Sequence, residues 1–102
     1  TLQITGPTAA VMNTDPLGEK WKAFGWSVKE VNGNDVDELK AAFAALPFET
    51  GKPSLIIAHT TKGKGVSFME NETKWHHGVP SIEQYKQAQQ ELDAALESLM
   101  NN

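Results

Sequence analysis

The 102-residue sequence contains no cysteine, which excludes disulfide bridges and thiolate metal sites and favours a cytoplasmic protein. No apolar run approaches the roughly 20 residues that span a bilayer, and no signal peptide is recognisable. The net charge of −4 comes without an acidic or basic block, which disfavours nucleic acid and anionic membranes as partners. These absences predict one domain over 1–102 that binds neither nucleic acid nor membrane.

A continuous apolar, β-branched run over 54–61 is the clearest feature of what is present. Such a run is typical of a strand covered on both faces, and hence of a central strand in a parallel sheet. Further strands are predicted over 1–7 and 26–31, and helices over 14–24, 35–46 and 81–100. The order β-α-β-α-β-loop-α predicts an α/β fold, a parallel sheet with flanking helices.

The first predicted helix begins with an oxygen-bearing cap, Asp15, followed by Pro16. Leu17, Trp21 and Phe24 recur at helical spacing, which predicts one buried stripe. Glycine at position 25 then predicts the end of the helix.

The two later helices carry clearer start signals. Asp35 with Glu38 three residues on, and Ser81 with Gln84, both resemble a capping box. The last helix is amphipathic to its end, with an outer face rich in Gln and Glu.

The polarity changes abruptly after the apolar strand, at Lys62-Gly63-Lys64-Gly65. Glycines let backbone N–H groups approach an anion and lysines add charge, so this bend can hold a phosphate. It matches neither standard nucleotide-binding motif, and a flexible, solvated basic turn explains the same residues.

Two adjacent histidines, His76 and His77, stand between Trp75 and Gly78. Histidine can transfer protons near neutral pH and can donate hydrogen bonds to phosphate. The alternative is a pair of surface histidines packed near an indole. A histidine zinc site is disfavoured because only His59 is left as a third ligand, and His59 itself is interpreted as a structural residue of the strand.

Residues 56–71 and 75–80 together closely resemble the thiamine-diphosphate-binding domain of transketolases. The best match is to the bacterial and archaeal type, in which the enzyme is split into two subunits. Further stretches resemble the same domain in the same order, namely 2–8, 21–26 and 30–35. The resemblance covers nearly the whole chain.

The resemblance implies a doubly wound parallel α/β domain and transfer of a two-carbon ketol unit between sugar phosphates, as in the pentose phosphate pathway. Thiamine diphosphate serves as the electron sink in that chemistry, and the protein orients it. A hard cation, magnesium or calcium, holds the diphosphate through oxygen ligands.

Matching positions give the site residues that the resemblance implies. The backbone carbonyl of Leu2 matches a metal ligand, and His77 matches a histidine near the diphosphate and the reactive carbon, with a catalytic role. The cofactor-binding positions are Ile4, Lys62, Gly63, His77 and Gly78. We expect the segment around Leu2 and the lysine–glycine bend to lie side by side at one edge of the sheet, with His77 facing the gap.

The sequence departs from the family by lacking its Gly-Asp-Gly and Asn-Asn metal-binding elements. We therefore expect a C-terminal fragment of the domain, inactive alone. Its expected partners are the missing N-terminal segment, the pyrimidine-binding domain or subunit, sugar phosphates and a second copy in a homodimer. The alternatives are a fragment of a deoxyxylulose-phosphate synthase or other thiamine-diphosphate enzyme, and a non-catalytic assembly module.

Overall fold

The computed structural model describes residues 1–101, which form two small sheets, four α-helices and one 3-10 turn. The elements in chain order are β1 (Leu2–Gln3), β2 (Gly6–Pro7), α1 (Thr8–Val11), α2 (Leu17–Ala23), β3 (Ser27–Asn32), α3 (Val36–Ala44), β4 (Ser54–His59), the 3-10 turn (Thr73–His76) and α4 (Ile82–Met100).

The main sheet consists of β3 and β4, which pair in parallel with a register from Ser27 opposite Ser54 to Asn32 opposite His59. The connection between them contains α3, as expected for a βαβ unit. Val31 of β3 is 6% exposed and Ala42 of α3 is fully buried, so the core lies where this helix covers the sheet. The predicted α/β class, a parallel sheet with flanking helices, is confirmed.

The prediction that 1–7 forms a third strand of this sheet is wrong. Residues 2–3 and 6–7 instead pair with each other as an antiparallel hairpin, with Leu2 opposite Pro7. The turn at Ile4–Thr5 reverses the chain within two residues, so the segment satisfies its own backbone locally. The described part of the main sheet therefore has two strands.

Helix α2 ends as predicted, because Gly25 adopts a φ of +87°, which glycine reaches without a steric penalty. Its start differs from the prediction: Pro16 occupies the N-cap position and no side chain caps the helix. The predicted buried stripe is also wrong at Phe24, which is 80% exposed. Trp21 packs edge-on against Trp26, with 4.9 Å between ring centroids.

Helix α3 begins with the predicted cap, since the Asp35 side chain accepts hydrogen bonds from the amides of Asp37 and Glu38. Substituting Asp35→Ala leaves these amides without their acceptor, and we expect a loss of about 1 kcal/mol in the free energy of unfolding. Urea unfolding followed by circular dichroism measures this loss.

Asp37→Ala is the matched control, because Asp37 forms only a surface pair with Lys40 at 3.6 Å. Such exposed pairs contribute little, so we expect a change of at most about 0.5 kcal/mol. Equal losses in the two variants would contradict the capping role of Asp35.

Helix α4 begins with the predicted capping box, in which Ser81 accepts from the Gln84 amide and the Gln84 side chain accepts from the Ser81 amide. The helix is amphipathic, but its apolar face is largely uncovered. Its exposed apolar side chains are Ile82, Tyr85, Leu92, Leu96, Leu99 and Met100.

The described residues form a thin layer, with extents of 51 × 39 × 15 Å. Residues 54–57 of β4 are half-buried rather than covered on both faces, which differs from the prediction of a central strand. None of the helices within 1–101 combines the length and the apolar character needed to cross a lipid bilayer.

Candidate functional site

The segment over 61–78, which we term the 61–78 loop, starts at the carboxyl edge of the main sheet. The amide of Thr61 donates to the Asn34 side-chain oxygen at 2.6 Å, and the amide of Gly33 donates to the His59 carbonyl at 2.8 Å. These bonds tie the start of the loop to the turn after β3. In open α/β sheets, this edge is where ligands bind.

The lysine–glycine bend is held in a fixed conformation. The amide of Asn71 donates to the Lys62 carbonyl at 2.9 Å, closing the loop on itself. Gly63 has a φ of +71°, and a Cβ atom there would lie 2.6 Å from the carbonyl carbon of Met69. The structure therefore favours an ordered bend over the alternative of a flexible, solvated turn.

The two lysines of the bend have different surroundings. Lys64 lies 3.3 Å from a carboxylate oxygen of Glu70, and the same oxygen accepts from the Gly65 amide at 3.1 Å. The Gly65 amide first, and then Lys64, hold the pKa of Glu70 below its usual value. Within residues 1–101, Lys62 is half-buried and forms no ion pair, so its charge is open to an anionic ligand.

The end of the loop is built around Trp75. Its indole N–H donates to the Phe68 carbonyl at 2.9 Å, and the two rings lie 5.4 Å apart. Gly78 packs directly on the indole, since a Cβ atom there would lie 2.5 Å from Trp75 Cε3. These contacts fix the backbone on both sides of His77.

The two histidines are both exposed, and their rings meet edge to face with 4.5 Å between centroids. The structure therefore places His77 and Gly78 in the same ordered loop as Lys62 and Gly63. It records no direct hydrogen bond from either histidine to the bend within residues 1–101. The catalytic and cofactor-binding roles of these four residues stay predictions.

Leu2 and Ile4 lie in the N-terminal hairpin rather than in the main sheet. Leu2 is half-buried in β1, and Ile4 is 58% exposed at the hairpin turn. No hydrogen bond or ion pair joins residues 1–7 to the 61–78 loop in the described part of the chain. The structure thus does not bring these two residues together with the bend, and their roles also stay predictions.

A pair that sequence analysis missed lies on the main sheet. His59 Nε2 lies 2.6 Å from a carboxylate oxygen of Glu30, at the side of a cleft of about 520 Å³ that α2 and the N-terminal segment also line. Glu30 stands opposite Ile57 in the register, two residues before His59, so both side chains share one face. The parallel register was the signal that could have found this pair. The contact supports the interpretation of His59 as a satisfied structural histidine.

A divalent metal would need more ligands than the described residues offer. Magnesium and calcium take six or more oxygen ligands. Within residues 1–101, no group of three or more histidine, aspartate or glutamate side chains is placed to hold a metal ion. The residues present therefore fit the lining of a cofactor site but not a complete metal–diphosphate site.

A parallel α/β unit with an ordered glycine–lysine loop at its carboxyl edge defines the chain as a ligand-binding α/β domain. Comparison with known families makes this specific. The chain belongs to the family described as "Transketolase, thiamine diphosphate binding domain", which matches residues 1–98.

Several curated proteins are similar to nearly the whole chain. One of the two subunits of the apulose-4-phosphate transketolase of Phocaeicola vulgatus is 47% identical over 98 residues, which are 96% of this chain and 35% of that protein. The protein of the same name from Actinobacillus succinogenes is 43% identical, over 89% of this chain and 33% of that protein. The 6-deoxy-6-sulfo-D-fructose transketolase subunit SqwG of Clostridium sp. is 39% identical, over 90% of this chain and 34% of that protein. The chain thus spans about a third of the length of these relatives.

Proposed function

We propose that this chain provides part of the thiamine-diphosphate-binding domain of a split transketolase, which transfers a two-carbon ketol unit between sugar phosphates. The family match over residues 1–98 carries this proposal. It is supported by relatives named as transketolase subunits and by the ordered 61–78 loop at the ligand-binding edge of the sheet. The relatives are named for different sugars, so the substrate class is proposed no more finely than sugar phosphates.

The proposed partners are the remaining residues of the thiamine-diphosphate-binding domain and a second, pyrimidine-binding subunit. The relatives are about three times as long as the matched region, and each is named as one subunit. The chain also exposes apolar surface that a larger domain can cover, including Phe24 at 80% and Leu99 at 75%. Large uncovered apolar areas commonly mark contact surfaces. In the assembled enzyme, a homodimer of such pairs is part of the proposal.

The proposed cofactors are thiamine diphosphate and magnesium or calcium, bound in the assembled enzyme. Lys62, Gly63, His77 and Gly78 would line the cofactor site, where thiamine diphosphate supplies the electron sink for ketol transfer. Leu2 would offer its backbone carbonyl to the metal. We propose a cytoplasmic location, which the absence of cysteine from the sequence supports.

The chain alone is expected to bind thiamine diphosphate weakly or not at all, because the described residues lack a set of metal-ligating side chains. Isothermal titration with thiamine diphosphate and magnesium, with and without the rest of the subunit, measures this. Binding only to the completed subunit supports the proposal. Micromolar binding to the chain alone would show that the described residues suffice, and no binding to either would favour a non-catalytic assembly module.

The reaction is tested with the completed enzyme and its partner subunit. Activity with xylulose and ribose phosphates supports transketolase chemistry. Activity only with pyruvate and glyceraldehyde phosphate would instead identify a deoxyxylulose-phosphate synthase.

A further inference from the structure

Helix α4 meets the 61–78 loop at a two-pronged contact. The amide of Ser67 donates to one carboxylate oxygen of Glu91 at 2.7 Å, and the Ser67 hydroxyl donates to the other oxygen at 2.6 Å. The two residues are 24 positions apart in the sequence. A single side chain of α4 therefore holds both the backbone and the side chain of one loop residue.

The Glu91 carboxylate is itself oriented by its own helix. The Gln87 side-chain amide, one turn earlier, donates to Glu91 at 2.8 Å and to the Ser67 hydroxyl at 3.3 Å. Hydrogen bonds to an ionised carboxylate are shorter and stronger than those between neutral groups. The Ser67 hydroxyl first, then the Ser67 amide and Gln87, hold the pKa of Glu91 below its usual value.

Ser67 occupies a position from which it controls the bend. It lies between Gly65 and Met69, and the neighbouring Val66 carbonyl accepts from the Met69 amide at 2.9 Å. Met69 in turn contacts Gly63 closely enough that no side chain fits between them. A displacement of Ser67 would therefore move the backbone that packs against Gly63.

We propose that Glu91 is a positioning residue, which sets the conformation of the Lys62–Gly63 bend by holding Ser67. In its isolated form the chain shows this as protection of the loop. The consequence for catalysis rests on the proposed function, because it requires the bend to line the thiamine-diphosphate site.

The first test is amide hydrogen exchange of the chain, read residue by residue by NMR. Glu91→Gln keeps the shape of the side chain but removes its charge and one acceptor. We expect amides over 62–71 to exchange about tenfold faster or more, with those of β3 and β4 unchanged. Glu97→Gln, which removes another α4 carboxylate, is the control and should leave the loop unchanged. Unchanged exchange in Glu91→Gln, or equal acceleration in the sheet, overturns the proposal.

A second readout separates positioning from general support of the fold. The chemical shift of the Ser67 amide should titrate with Glu91, with a midpoint below that of an ordinary glutamate, and this titration should vanish in Glu91→Gln. Glu70, paired with Lys64, is the neighbouring carboxylate, so its own titration is followed in parallel. A Ser67 titration that persists in Glu91→Gln belongs to Glu70 and overturns the assignment.

A third variant tests whether Glu91 acts through Ser67. Ser67→Ala removes one of the two bonds, and the pair Ser67→Ala with Glu91→Gln should accelerate exchange less than the product of the two single effects. Fully multiplicative effects would show that the residues act independently and would overturn the proposal.

The catalytic consequence is measured separately in the assembled enzyme, as the KM for thiamine diphosphate. We expect Glu91→Gln to raise this KM severalfold at an unchanged unfolding midpoint. Faster loop exchange with an unchanged KM would keep Glu91 as the residue that holds the loop but overturn its link to the cofactor. Failure of the proposed function is distinct, because the wild-type enzyme would then show no transketolase activity.

Discussion

Gly63→Ala is expected to destabilise the lysine–glycine bend more than any other single methyl addition within the 61–78 loop. Gly63 has a φ of +71°, a region that costs a residue with a side chain about 1–2 kcal/mol. The added Cβ would also overlap the Met69 backbone, which commonly costs about 1–3 kcal/mol. Together these two costs predict a loss of about 2–5 kcal/mol in the free energy of opening the loop. Amide exchange of residues 62–71 measures this loss directly, since a loop can open without unfolding the sheet.

Gly51→Ala separates the two causes of the predicted loss. Gly51 also has a positive φ, +83°, but a Cβ atom there would meet nothing within 4 Å. We therefore expect only the conformational cost of about 1–2 kcal/mol at this position. If Gly63→Ala and Gly51→Ala had equal effects, the close approach of Met69 to the bend would be contradicted.

The helix starts were predicted correctly where they depend on neighbours in the sequence. The Asp35 cap and the Ser81–Gln84 capping box each involve residues within three positions of one another. Their physical cause, an unsatisfied amide beside a side-chain acceptor, is already present in the local sequence. The parallel pairing of β3 with β4 was predicted from the same kind of pattern, apolar runs separated by a helix.

Elements whose form depends on a distant neighbour were predicted less well. Residues 1–7 alternate like a strand, but no pattern says which strand would lie beside them, and they close into a hairpin instead. The stripe containing Phe24 has helical spacing, yet within residues 1–101 Phe24 stays exposed because no described element covers it. Periodicity indicates which face is apolar, not whether something packs against it.

The candidate site shows the same division. The bend and the His77–Gly78 pair were found because their residue types cluster in the sequence. The contacts between Glu91 and Ser67 and between Glu30 and His59 join residues 24 and 29 positions apart, so no local motif contains them. Only the fold brings these side chains together, and the first of these pairs fixes the shape of the predicted loop.

His77→Ala is expected to lower turnover of the assembled enzyme by about 100-fold or more, because a positioned proton donor contributes about that much to many reactions. Its effect on the fold should be small, at most about 0.5 kcal/mol, since the side chain is exposed. Turnover and the unfolding midpoint of the same preparation measure the two effects side by side.

His76→Ala is the matched control, because His76 is the adjacent exposed histidine and the two rings differ mainly in direction. Consecutive side chains in an irregular segment point apart, so at most one of the two imidazoles is expected to reach the cofactor. Near-normal turnover in His76→Ala beside a large loss in His77→Ala would support the assignment. A loss of stability large enough to explain the whole loss of turnover in His77→Ala would instead return His77 to a structural role against Trp75 and Gly78.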